Sequence, residues 1–348
     1  MTRHRFILSS TLGILCFGFA SNAYATDVAI QAQVFGGYYQ TLSPDNFGRF
    51  EVTRAQLDSH FDLTSNAHAR VMLETFRSAS EQSLFGLDGN SMATRLKLGL
   101  VEGRGELASV NWMLRAGLIP DTWIDTLETL YPLRGLSPLM SESMQLVDTS
   151  DLGAELKVAL LDELLELRVS ATNGEGRRQV ELNEGKNLSA VLAVNTELTE
   201  TSKLKGLLFY RDGSSTAANI ANHRMGSAVQ LSHPRFGLGI EAMQTQGLNG
   251  RGSIEALGLG GYAFGALLPR WLGLAATFSQ LTSDDSDTDL DLSAAVYSDF
   301  GAHPQPGKSL RVYAGYRRNQ RASLSGNLES TTEDSVFIQF SIQGGSNL

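Results

Sequence analysis

One cysteine, Cys16, and eight prolines are spread over 348 residues, and basic residues are in deficit, 28 against 37 acidic ones for a net charge of −9. A basic face for nucleic acid is therefore absent. Outside the N-terminus no run reaches ~18 apolar residues without a charge, which excludes a helical membrane protein. A hydrophobic share of 42% is too high for a disordered polymer, and 35 glycines are too many for a coiled coil. Of the six histidines, His60 and His68 fall on different predicted strands, and His223 and His233 lie ten apart. None has metal-ligand spacing. No Gly-x-Ser-x-Gly elbow occurs. The two Ser-His neighbours, Ser59-His60 and Ser232-His233, point to opposite faces of a strand, so no nucleophile, base and orienting acid assemble. The chain reads as neither an enzyme nor a cofactor or metal protein. Its mean hydropathy of −0.10 looks soluble, but that value misleads where only every second residue meets lipid.

The N-terminus has the form of an export signal. Arg3, His4 and Arg5 precede an apolar run from Phe6 to Ala20, and Ala23-Tyr24-Ala25 supplies the small-residue cleavage pattern. Residues 1–25 are expected to be removed, leaving a single domain over 26–348. Cys16 leaves with the signal, so the mature chain has no disulfide and no thiol chemistry.

What is present is alternation. Leu96, Leu98 and Leu100 alternate with Arg95, Lys97 and Gly99, and Val110, Trp112, Leu114 and Ala116 alternate with Asn111, Met113 and Arg115. Leu165, Leu167 and Val169 alternate with Glu166, Arg168 and Ser170. Leu310, Val312, Ala314 and Tyr316 alternate with Arg311, Tyr313, Gly315 and Arg317. A period of two sets each series on one face of a strand, and charges keep the other face wet. Leu98 and Val312 are read as lipid-facing, Lys97 and Arg311 as water-facing. Sixteen such runs lie near 28–40, 50–64, 67–78, 92–102, 108–118, 150–160, 163–172, 187–198, 202–212, 222–232, 235–245, 254–266, 270–281, 289–300, 308–318 and 333–343. Connections after even-numbered strands are short, about two to eight residues, and those after odd-numbered strands run from about seven to thirty. This is the signature of an all-β transmembrane antiparallel barrel with short periplasmic turns and long outer loops.

Two motifs invite other readings. Gly258-Leu259-Gly260-Gly261 resembles a dinucleotide fingerprint but sits within a strand pattern and opens no helix; lumen-facing or bend glycines explain it better. Asp284 to Asp289 has the alternating acids of a calcium loop, yet Leu290 and Val296 stand where glycine and glutamate belong. A solvated outer loop, binding divalent cations loosely if at all, is expected. In the apolar stretch 257–278, Pro269 and Arg270 exclude a membrane helix, and Tyr262, Phe264 and Trp271 read as interface aromatics.

The third long connection, Ile119 to Thr149, is the longest. It mixes Trp123, Leu127 and Leu130 with Asp121, Asp125 and Glu128, and includes Arg134. A loop wholly in water would rarely hold so many leucines, so it is expected to fold into the lumen, apolar side on the wall and acids inward. Facing it, the strands supply Arg54, Arg70, Arg95, Lys97, Arg115, Arg311 and Arg317 as pore-lining bases, with Glu74, Asp58 and Glu155 as wall acids. Acids opposite bases would make a charged constriction that sorts solutes. Alternatively, the arginines pair with wall acids and stiffen the barrel.

Four segments resemble outer-membrane porins of the phosphate-selective O/P type: Thr53-Arg54-Ala55-Gln56-Leu57, Arg115-Ala116-Gly117-Leu118-Ile119-Pro120, Thr149-Ser150-Asp151-Leu152-Gly153 and Ser170-Ala171-Thr172-Asn173-Gly174-Glu175-Gly176. The resemblance is loose and runs in order over most of the mature chain. It implies a sixteen-stranded barrel, usually trimeric, in the outer membrane of a Gram-negative-type envelope, among outer-membrane lipid and lipopolysaccharide. Anion-selective members carry a dense run of lumen bases, whereas here bases and acids mix. The expected function is passive passage of small hydrophilic solutes or ions. The alternatives are a non-conducting surface barrel that binds a partner through its outer loops and, further off, a barrel enzyme.

Overall fold

The computed structural model describes residues 27–42, 47–77, 92–174, 176, 185–215, 220–248, 251–268, 271–284, 286–300, 309–321 and 331–347. The export signal lies outside the described residues. The strands are β1 (Asp27–Thr41), β2 (Gly48–Asp62), β3 (Ala67–Arg77), β4 (Met92–Leu107), β5 (Val110–Pro120), β6 (Ser150–Leu160), β7 (Leu165–Thr172), β8 (Asn187–Thr199) and β9 (Ser202–Asp212). After the short pair β10 (Ser214–Ser215) and β11 (Ile220–Ala221) come β12 (His223–His233), β13 (Phe236–Leu248) and β14 (Arg251–Leu268). Then follow β15 (Leu272–Ser283), β16 (Ser286–Asp299), β17 (Ser309–Arg321) and β18 (Thr331–Asn347). Each barrel strand pairs antiparallel with its neighbours, and β1 closes on β18. The result is a closed sixteen-stranded antiparallel barrel, with β10 and β11 forming a separate small hairpin. Closure pairs every sheet edge, which is what allows strands to span a membrane.

The barrel is inside-out relative to a soluble protein. Leu114, Leu156, Val169, Leu208, Ile240 and Ile338 are exposed on its outer surface, while Arg115, Glu155, Arg168, Lys205 and Arg224 are buried inside. β7 shows the cause in eight residues: Glu166, Arg168, Ser170 and Thr172 are buried, Leu167, Val169 and Ala171 exposed.

Alternation is interrupted at bulges, and the one in β4 reverses an expected facing. Opposite β3, Met72 aligns with Leu98 and Leu73 with Leu96, so Lys97 is an extra residue in a bulge. The bulge flips the facing of the residues C-terminal to it. Leu96 stays outward at 45% exposure and Val101 is outward at 58%, but Leu98 and Leu100 turn inward and are buried. The expected lipid-facing position of Leu98 is thereby corrected. Lys97 remains inward, as do Arg311 and Arg317, and Val312 shares the outer face with Phe340 and Leu310. Two of the outer connections are shorter than expected, because β13 and β14 run to Leu248 and Arg251, and β15 and β16 to Ser283 and Ser286. The acidic stretch at 284–289 is therefore mostly strand rather than loop; Asp285 lies outside the described residues.

Between β5 and β6 the chain leaves the wall. Gly117 has φ +121°, and a Cβ there would sit 2.3 Å from the Gly99 carbonyl oxygen, so only glycine serves at this exit. The segment then forms α1 (Thr122–Glu128) and α2 (Met140–Ser143).

Candidate functional site: the folded loop and the charged lumen wall

Residues 121–149 fill the interior against one side of the barrel. Asp121 caps α1, accepting from the backbone N–H groups of Trp123 (2.9 Å) and Ile124 (3.3 Å), and it also pairs with Arg211 of β9. At the other end of α1, Lys205 Nζ donates to the Thr126 carbonyl (3.3 Å) and to Thr129 Oγ1 (3.0 Å). A cation at the helix C-terminus and an acid at its N-terminus both suit the helix dipole. Trp123 is fully buried and stacks on Phe209 with ring centroids 5.2 Å apart. It joins Ile124, Leu127, Leu133, Leu136, Met140 and Leu146 in one apolar cluster with inward residues of the wall, among them Val191, Leu207 and Met243.

Glycine makes the seat. A Cβ on Gly258 would lie 2.6 Å from Leu146 Cδ1, and one on Gly260 would lie 2.2 Å from Met140 Cβ. The Gly258 and Gly260 positions thus leave room for α2, in keeping with the lumen-facing reading of that motif; Gly261 lies on the other face, under Phe278. Wall side chains then satisfy the loop's backbone. Gln230 donates to the Leu127 carbonyl (3.0 Å), Tyr262 to that of Leu130 (3.1 Å), Arg311 to that of Pro132 (3.0 Å) and Arg317 to that of Leu136 (2.6 Å). Arg224 Nε holds the Leu146 carbonyl (2.7 Å), and the Glu241 carboxylate accepts from Ser141 N–H (3.2 Å) and Oγ–H (3.1 Å).

The opposite side of the loop is charged. Asp125 accepts from Arg115 of β5 (3.1 Å) and Arg168 of β7 (2.6 Å), and Glu155 of β6 lies 3.0 Å from the same Arg115. Burial alone would raise the Asp125 carboxyl, but Arg115 and Arg168 outweigh it and hold the group at about 2. Glu142, at the end of α2, is likewise raised by burial and pulled down to about 2 by Arg134, Arg54 and Lys97. Arg134 bridges Glu142 and Glu128 within the loop. On the wall, Glu74 of β3 gathers Arg54 (3.5 Å), Arg95 (2.7 Å) and Lys97 (3.5 Å), and Arg70 pairs with Asp58 (2.8 Å). Arg54 also reaches Glu142 (3.1 Å), closing the network from wall to loop. Arg70 and Lys97 both lie within electrostatic range of Glu128, which is 38% exposed at its side chain.

The expected site residues thus fall into two sets. Arg54, Glu74, Arg95 and Lys97 meet one another and the loop; Arg115 meets Asp125; Arg70 faces the same space. Arg311 and Arg317 instead hold loop carbonyls on the far wall. Of the loop acids, Asp121 and Asp125 meet wall arginines, while Glu128 pairs with Arg134 of the loop itself. Trp123 and Leu127 are anchors; Leu130 is only half-buried. Tyr262 and Phe264 are corrected: both point inward, over Gly239 and Gly237, and Tyr262 edges onto Tyr131 at 4.9 Å. Tyr262 and Phe264 share the inward parity of Gly258 and Gly260, whereas an interface aromatic would stand on the other face with Gly261. Trp271 is exposed at 66%. Arg168, Lys205, Arg211, Arg224, Glu142 and Glu241 were not singled out. The inward parity of their strands was the signal available for the five on the wall. No group of three potential metal ligands occurs among the described residues.

No protein-family model matches the chain, and no curated protein sequence matches it. Solved structures do. The anion-selective porin from Comamonas acidovorans is 12% identical, with 91% of this chain and 99% of that one covered at a TM-score of 0.58. The outer-membrane channel DcaP of Acinetobacter baumannii is 14% identical, with 94% and 99% covered at 0.58. OmpF of Salmonella typhi, solved with daunomycin, is 12% identical, with 91% and 97% covered at 0.60. At these identities the likeness is one of fold.

Proposed function

We propose that the protein is a passive porin of a Gram-negative-type outer membrane, admitting small hydrophilic solutes or ions past a charged constriction. One observation carries this reading: the long loop buries its apolar side on one wall, largely β8–β16, and turns Asp125 toward Arg115 and Arg168, Glu128 toward Arg70 and Lys97, and Glu142 toward Arg54. Acids on the loop and bases on β2–β5 set a transverse field across the space between them, which sorts solutes by charge and dipole. Transport of this kind needs no covalent chemistry. The exposed apolar belt and the fold shared with an anion-selective porin and an outer-membrane channel support the location. Residues 1–25 act as the export signal, and the mature barrel sits among outer-membrane lipid and lipopolysaccharide as a homotrimer.

The mixed charge of the network argues against a phosphate-selective filter of the O/P type. In a planar bilayer the purified protein is expected to give stepwise current. A folded, heat-resistant barrel that inserts without current would replace this reading with that of a plugged surface barrel.

A further inference from the structure

A second feature adjoins the charged network where Arg54 and Arg134 meet Glu142. Between β1, β2, β17, β18 and the loop stretch 134–138 there is a cavity of about 150 Å³ whose lining includes Arg54, Arg134, Arg317, Tyr39, Phe35 and Leu136. Its lining holds three guanidinium groups and no carboxylate. Arg54 and Arg134 share Glu142 from outside that lining. Arg317 is different: it meets no carboxylate among the described residues. Its Nε donates to Ser293 Oγ (3.2 Å) and its Nη2 to the Leu136 carbonyl (2.6 Å), leaving Nη1 without a partner there. Its guanidinium is further fixed over the Phe337 ring at 5.3 Å. Tyr39 lines the same cavity and is more than nine-tenths buried, and its hydroxyl has no hydrogen-bond partner among the described residues. A buried donor left unpaired is costly. The ring of Phe35 and the side chain of Leu136 give the cavity an apolar floor, both almost fully buried.

We propose that this cavity is a binding subsite for a small organic carboxylate with an apolar body. The carboxylate takes Arg317 Nη1 and the Tyr39 hydroxyl as donors, beside the guanidinium groups of Arg54 and Arg134, and the body rests on Phe35 and Leu136. Charge-assisted bonds of this type are the strong ones, and a planar guanidinium matches a carboxylate. One uncompensated arginine suits a singly charged ligand better than a phosphate dianion. The inference deepens the channel reading by naming a solute class; it rests on that reading only for the role of the bound solute in transport, since binding itself needs no current.

The test uses the full mature protein in detergent, with benzoate as the probe, in isothermal titration and in planar bilayers. Benzoate is expected to bind saturably, and benzyl alcohol of similar shape not to compete. Arg317→Gln is expected to weaken benzoate about tenfold or more, and Tyr39→Phe, which keeps the ring and the fold, about threefold. Heat-resistant mobility on gels shows that each variant is folded. No saturable binding of benzoate, binding unchanged in both folded variants, or inorganic phosphate binding more tightly than benzoate would each overturn the proposal. Current without benzoate binding sinks this subsite and leaves the channel standing; binding without current does the reverse.

Discussion

The two sides of the lumen are built from the same kind of strand but solve opposite problems. On β8–β16 many inward positions are small or apolar, with Val191, Leu207, Gly226, Met243, Gly258 and Gly260, the loop is packed onto them with little room to spare, and the polar exceptions Lys205, Arg211, Arg224, Gln230 and Glu241 bond to the loop itself. On β2–β7 the inward positions are charged, with Arg54, Asp58, Glu74, Lys97, Arg115, Glu155 and Arg168, and the loop meets them through ion pairs. Close packing fixes a segment; paired charges facing water leave a polar surface. The apolar side therefore holds the loop in place, and in the proposed channel the charged side is the one that solutes would meet.

The largest effect is expected from the apolar side. Trp123→Ala removes the central buried ring of the seat, a change that typically costs about 3–5 kcal/mol. The variant is expected to unfold at lower denaturant and to show noisy, enlarged current, because the loop loosens while the barrel persists. Unaltered stability and current in a folded variant would show that the apolar seat does not hold the loop.

Next in size is a test of the bulge that separates the two facings of β4. Leu96→Arg and Val101→Arg are each expected to cost about 2–4 kcal/mol near the bilayer midplane, because both face lipid. A straight strand would put one of the two in the lumen and spare it, so unequal penalties would remove the bulge. This is also where the sequence was least legible. Leu96, Leu98 and Leu100 alternate without interruption, and a single extra residue at Lys97 leaves no compositional mark. The sixteen strands themselves were readable, since a wet inner face and a lipid-facing outer one enforce a period of two. The loop was readable from its length and leucine content. Its partners were not: Lys205, Arg211 and Arg224 sit on strands far from the loop in sequence, and which wall it favours depends on where small residues such as Gly258 and Gly260 line up. For the same reason Tyr262 looked like an interface aromatic, although it serves the loop.

Acid should separate the two sides. The Asp125 and Glu142 carboxyls are held at about 2, below their ordinary values near 4, by the arginines around them. A depressed carboxyl stabilises the folded loop above about pH 4, and that contribution is lost as pH falls toward 2. Conductance is therefore expected to stay constant from neutral pH to about 4 and to change only below it, while the apolar contacts persist. A change centred near pH 6 would mean that other groups hold the loop.

A smaller effect is expected from charge alone. Asp125→Asn with Glu128→Gln keeps the apolar seat and removes two acids from the polar surface. The reversal potential under a salt gradient is expected to move toward anions, with the anion-to-cation permeability ratio rising on the order of twofold. The shift should shrink at high salt, where exposed charges are screened. No movement would place the ion path away from these residues.

The most direct measurement is the single-channel conductance of a variant lacking residues 122–130, beside the wild type under identical salt. With α1 gone, the barrel is expected to remain closed and heat-resistant, and each current step is expected to be larger than that of the wild type. A folded barrel whose steps are unchanged would contradict the central claim that the loop sets the width of the pore.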